Sequence, residues 1–235
     1  MKYHVDLVLC IDCSGSMAPV IGYVKDMALK FHDDLLKYMR HVQKEAAQVR
    51  VKVIGFRDIY DETDKTNGLK AFGESDFFAL PAQGEQFKQF VTGLQADGGG
   101  DEPENALEAL SMAMKSPWDT GGDRRRHAIV MWTDAPAHRL ENLEERPVRQ
   151  PVEPDRTAAT FDQLTNWWHG NVMDPAAQRL ALFAPDTDRK GRPAYPWPEL
   201  VDAWDRVYWF KSKAGKGLSD MSYSQIMARI AQSVE

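Results

Sequence analysis

Three segments of the chain, VDLVLCI (residues 5–11), HAIVMW (127–132) and LALFA (180–184), are apolar at nearly consecutive positions. A strand with one solvated face alternates apolar and polar residues, whereas an unbroken run requires cover on both faces, as in the central strands of a parallel sheet. Each run stops at oxygen-bearing side chains: Asp12, then Thr133 with Asp134, then Asp186. VRVKVIGF (49–56) alternates more and ends at Arg57 and Asp58, and RVYWFK (206–211) supplies a fifth strand pattern.

Helical patterns separate these strands. Over residues 19–44 apolar side chains recur at Ile21, Val24, Ala28, Phe31, Leu35, Tyr38 and Val42, the three-and-four spacing of an amphipathic helix. Residues 84–94, 103–114, 160–170 and 222–234 give further helices, the second opening on Pro103 in the first helical turn. Alternating strands and helices predict an α/β fold, doubly wound, with a mostly parallel central sheet and helices on both faces. LKAFGESDFFAL (69–80) offers one antiparallel edge strand. With no internal repeat or compositional boundary, a single domain over residues 1–235 is expected. A proline-containing surface loop spans about 140–157.

Composition excludes several function classes. The net charge of −6 is unsuited to holding nucleic acid or an anionic membrane, so neither partner is expected. RRRH (124–127) reads as a solvated turn before a strand. No apolar stretch approaches a membrane span and the N-terminus has no signal-peptide pattern, so a cytoplasmic protein is expected. Cys10 and Cys13 are three apart on a strand and point to opposite faces, against a disulfide or redox pair.

In open parallel sheets ligands bind beyond the carboxyl ends of the strands. Asp12, Asp58 and Asp134 would therefore gather at one edge. Crowded carboxylates repel unless protons or a cation neutralise them. Oxygen-only donors favour a hard ion such as Mg²⁺ or Mn²⁺. In DCSGS (12–16) the alternating Ser14 and Ser16 add two neutral hydroxyls aimed near Asp12. Gly98, Gly99 and Gly100 suggest a phosphate cradle, but the acids at 101, 102 and 104 oppose it; glycines that let the backbone pass closely by a cation fit better.

DCSGS, GGGDEPEN (98–105) and WTDAPAH (132–138), in this order at strand ends, resemble the three loops of the metal-ion-dependent adhesion site of von Willebrand factor A domains. The resemblance extends over almost the whole chain. It implies that Ser14 and Ser16 ligate the metal directly, while Asp12 and Asp134 hold it largely through water. The second loop departs from the family's threonine and is similar to the D-x-P-E form of integrin β chains. That form implies Glu104 as a direct ligand and a second cation site, a candidate for Ca²⁺, built from Asp58, Asp101, Pro103 and Glu104. A salt bridge from Asp58 to Arg57 or Lys65 is the alternative for that residue.

The implied function is a metal-dependent protein interaction module, not an enzyme, in which a partner protein supplies an Asp or Glu to the metal. Relatives of this type often act as adaptors with ATPase, kinase or phosphatase components. His138 and the prolines Pro147, Pro151 and Pro154 are expected on the partner-facing rim. The resemblance also implies that the last helix, 222–234, moves on ligation. The enzyme alternative is a metal-dependent phosphohydrolase with Asp12 as nucleophile, but Ser14 stands where a second acid would be needed. HDD (32–34) reads as helix surface, and neither serine lies in a nucleophile elbow. Of Trp167 and Trp168, one is expected in the core and one partly exposed.

Overall fold

The computed structural model describes residues 2–19, 21–41, 45–58, 72–98, 102–122, 124–141 and 155–212. Strand β1 (Lys2–Asp12) occupies the middle of the sheet, hydrogen-bonded in parallel to β2 (Glu45–Phe56) and β5 (Arg124–Trp132). Strands β6 (Gln178–Pro185) and β7 (Val207–Ser212) continue the parallel array beyond β5. On the other side β3 (Phe72–Glu74) and β4 (Phe78–Leu80) both run antiparallel to β2, giving the path β3-β2-β1-β5-β6-β7 with β4 branching from β2. The mostly parallel sheet expected from the sequence is present.

Two short antiparallel strands thus replace the single expected edge strand. Ser75 separates them: its N–H donates to Val53 O, and its hydroxyl accepts from Val53 N–H, each at 3.0 Å. A side-chain oxygen takes over the pairing that a backbone carbonyl would have provided, and the strand is interrupted there.

Both faces of the sheet are covered, which explains the unbroken apolar runs. Leu7, Leu9 and Ile11 of β1 pack with Val24 and Ala28 of α1 (Ile21–His41) and Phe87 and Val91 of α2 (Gly84–Gly93). Val8 and Cys10 face the opposite cluster, shared with α3 (Ala106–Met114), α4 (Phe161–Asn166) and α5 (Trp197–Ala203). Fully burying each such aliphatic side chain stabilises the fold by roughly 1.5–3 kcal/mol before ordering costs. Cys10 and Cys13 lie on opposite faces as free, buried thiols. Burial raises the pKa of both, to about 12 at Cys13, so neither is a ready thiolate.

Three local expectations need correction. Helix α3 begins at Ala106, so Pro103 lies in the preceding loop, where backbone bonds hold the chain against residues 136–138. The RRRH run forms the first four residues of β5, because Arg124 to His127 pair in parallel with Tyr3 to Asp6 of β1; Arg126 is buried, with its guanidinium over the Tyr3 ring. Trp167 and Trp168 are both buried. A π turn (Trp167–Asn171) follows α4; Trp168 stacks on Trp204 at 5.0 Å while Trp167 lies under the Lys115 ammonium at 4.4 Å.

The proposed last helix, 222–234, lies outside the described residues. Among the described residues no helix is long and apolar enough to cross a membrane.

Candidate metal centre

Asp12 is the last residue of β1 and is fully buried. Its Oδ1 accepts the Ser14 N–H at 2.8 Å and its Oδ2 accepts the Thr133 hydroxyl at 2.8 Å. Ser14 has extended backbone and is followed by a 3-10 turn (Gly15–Met17), which brings the Ser14 and Ser16 hydroxyls to 3.1 Å. Ser16 donates onward to Asp134 Oδ1 at 2.8 Å. The turn leaving β1 is fastened from the other side by Asp97 N–H to Cys13 O at 3.1 Å and Gly15 N–H to Gly98 O at 2.5 Å. Gly98 has φ of 74°, a left-handed conformation that glycine adopts without steric cost.

Glu104 comes from the loop before α3. Its N–H donates to Pro136 O and its carbonyl accepts the His138 N–H, both at 3.0 Å, so the second and third loops are stitched together as a short parallel bridge. The side chain is 1% exposed, and its Oε2 has no hydrogen-bond partner. Burial, followed by the charges of Asp12 and Asp58, pushes the Glu104 pKa well above the ordinary range. Asp12 is raised to about 6, first by burial and then by Asp134, against hydrogen bonds from Ser14 and Thr133. Each carboxylate raises the cost of ionising the other.

The structure therefore brings Asp12, Ser14, Ser16, Glu104 and Asp134 together from three loops. Asp58, two residues beyond β2, accepts a 3.1 Å hydrogen bond from His138 Nε2, while Arg57 donates to Asp97 O and Gln95 O; Lys65 lies outside the described residues. His138 is thus turned toward Asp58 and is only partly exposed. Pro103 is described, whereas Asp101, Pro147, Pro151 and Pro154 lie outside the described residues.

Two contributors escaped sequence reasoning. Thr133 was legible only as a strand end, although a hydroxyl directly before Asp134 faces the other loop. The Glu102 to Arg189 ion pair, 3.1 Å, joins positions 87 apart, and nothing local in the sequence marks it.

Among the described residues no three of His, Cys, Asp and Glu converge closely enough to cage an ion by themselves. The convergent donors are instead two hydroxyls with carboxylates, and the orphaned Glu104 Oε2 among mutually repelling acids is an acceptor lacking a positive charge. This donor set fits a hard divalent cation that keeps water or outside ligands in part of its shell.

A family model described as von Willebrand factor A domain matches residues 78–161, a span that includes Glu104 and Asp134. The alpha-protein kinase vwkA of Dictyostelium discoideum is 26% identical over 137 residues. That match covers 58% of this chain, which spans only 19% of that protein's length. Among solved structures, the pilus adhesin SpaC from Lactobacillus rhamnosus GG aligns over 98% of this chain and 30% of its own, with a TM-score of 0.59 at 13% identity. Its open conformation gives 0.57 at 12% identity. At such identities the likeness speaks for the fold.

Proposed function

The chain carries a von Willebrand factor A domain, and from that premise we propose a metal-dependent protein interaction module that binds an acidic side chain of a partner. The observation that carries the reading is the convergence of Ser14, Ser16 and Glu104 between buried Asp12 and Asp134. A bound Mg²⁺ or Mn²⁺ would offer a coordination position to an external carboxylate. The protein's own residues perform the rest. Asp12 fixes the first turn through its bonds to Ser14 and Thr133, and Asp134 orients the Ser16 hydroxyl. Ser16 is the partly exposed member of the set, which supports approach from its side. Asp58 beside Glu104 supports a second cation position, Ca²⁺ being the candidate, with His138 as its neighbour.

A phosphohydrolase with Asp12 as nucleophile is the weaker reading. Both Asp12 oxygens already accept hydrogen bonds and the residue has no exposed surface, so attack on a phosphoryl group would require dismantling the turn. The kinase name of the Dictyostelium relative belongs to a protein of which this chain matches a small part. A cytoplasmic adaptor acting with an ATPase, kinase or phosphatase component is the setting we propose.

The test is capture of host proteins on the immobilised chain in Mg²⁺ and in chelator, with Glu104→Gln alongside. A partner held only by wild type with metal supports the module. Partners indifferent to both changes overturn the metal dependence.

A further inference from the structure

The turn between β6 and α5, DTDRKGRPAY (residues 186–195), is a basic projection on a rigid frame. Asp188 accepts the N–H groups of Lys190 at 2.9 Å and Arg192 at 2.8 Å, and Arg192 Nε at 2.7 Å. Asp188 N–H donates to Arg192 O, Gly191 takes φ of 75°, and Thr187 bridges Pro193. Asp188 is consumed inside the turn, where it also takes Arg192 Nη2 at 2.6 Å; Lys190 is exposed, and the Arg189 and Arg192 side chains, paired with Glu102 and Asp188, keep 48% and 70% of their surface exposed for further carboxylates. Exposed Arg139 adds a fourth cation, with its guanidinium 4.0 Å from the Tyr195 ring centre.

This projection is fastened to the candidate metal centre at two points. Arg189 meets Glu102 through its side chain at 3.1 Å and its backbone N–H at 3.3 Å, two residues from Glu104. Tyr195 O accepts the Ala137 N–H at 2.7 Å, beside the bridge between Ala137 and Glu104. A rigid cluster of cations is therefore built against the loops that carry an acidic centre, in a chain whose net charge is −6.

We propose that residues 186–195 form a second docking point for the partner, with Lys190, Arg189 and Arg192 receiving further carboxylates of an acidic protein segment whose first carboxylate goes to the metal centre. The inference rests on the metal-centre reading and makes it more specific: the partner presents a cluster of acidic residues, not an isolated one. The metal centre by itself selects any accessible Asp or Glu. A fixed basic flank selects among them by charge, because complementary charges accelerate encounter and penalise wrong partners.

The experiment uses two labelled Gly/Ser-based peptides, one with a single Asp and one with Asp followed by three Glu, titrated in Mn²⁺ and in chelator. Wild type is expected to bind the acidic-cluster peptide about tenfold tighter than the single-Asp peptide in Mn²⁺. Lys190→Glu, which leaves the turn's backbone bonds and the Arg189–Glu102 pair in place, should remove most of that advantage without changing single-Asp affinity. Arg189→Ala with Lys190→Ala serves as the second variant, and thermal unfolding verifies that both fold. Equal affinity for the two peptides in wild type, an advantage unchanged in both variants, or no binding of the acidic-cluster peptide in Mn²⁺ overturns the proposal. Failure of the metal reading has a separate signature: binding of both peptides that is unaffected by chelator.

Discussion

The Ser16 hydroxyl donates to Asp134 across 2.8 Å and thereby couples two strand ends 118 residues apart. Ser14 occupies the matching position beside Asp12, so the two serines are the neutral oxygens around which the carboxylates are arranged. Replacing both with alanine should weaken Mn²⁺ binding by about 100-fold or more, while the far-ultraviolet circular dichroism of the sheet is retained. Titration calorimetry checks this; unchanged affinity would remove the serines from the ligand set.

Glu104→Gln should act in opposite directions with and without metal. It removes a carboxyl whose ionisation is opposed by burial and by Asp12, Asp58 and Asp134, so in chelator near pH 7 the variant should be more stable than wild type by about 1–2 kcal/mol. In saturating Mn²⁺ the order should reverse, because wild type gains more from binding. Thermal melts under the two conditions decide between this and a purely structural glutamate, which would destabilise in both.

The pH dependence has a definite sign. Asp12 has a folded pKa of about 6 against an ordinary value of 3.8, so between these values the folded state binds a proton that the unfolded state has released. Its contribution is fully present below the unfolded pKa and is lost as pH rises through the folded one, a change of about 3 kcal/mol. In chelator, the stability difference between wild type and Asp12→Asn should therefore shift against wild type from pH 4 to pH 7. Urea midpoints at several pH values measure it, and a difference independent of pH would show that burial does not govern this carboxyl.

At the opposite end of the sheet, Arg50 donates two hydrogen bonds to Asp6, at 2.8 and 2.6 Å, and Asp6 also accepts the Asp119 N–H. Asp6 is 1% exposed. Arg50→Ala would strand that buried charge and should cost about 3 kcal/mol in urea unfolding, with Mn²⁺ affinity preserved. A cost near zero would mean that solvent enters to replace the guanidinium.

The sheet was legible because apolar runs such as residues 5–11 report two-sided burial directly. The convergence of Asp12 with Asp134 also followed from the rule that parallel strands share a carboxyl edge. Other features depended on contacts that local pattern does not encode. Pro103 suited a first helical turn, yet the backbone bonds of Glu104 to Pro136 and His138 retain that stretch in a loop. One of Trp167 and Trp168 looked partly exposed by helical spacing, but both are buried: a π turn changes the angle between neighbours and lets Trp204 cover Trp168. Arg189 gave no sequence signal because its partner, Glu102, lies far along the chain.

The central position of β1 has a mechanical consequence. A partner pulling on the turn after Asp12 would draw β1 along its own axis, against parallel neighbours paired from Lys2 to Asp12 on one side and from Tyr3 to Ile11 on the other. Tension in that direction shears many evenly spaced hydrogen bonds together and cannot peel them one at a time. The same site on an edge strand would unzip under far less force, so the topology places the candidate attachment point where the sheet resists extraction best.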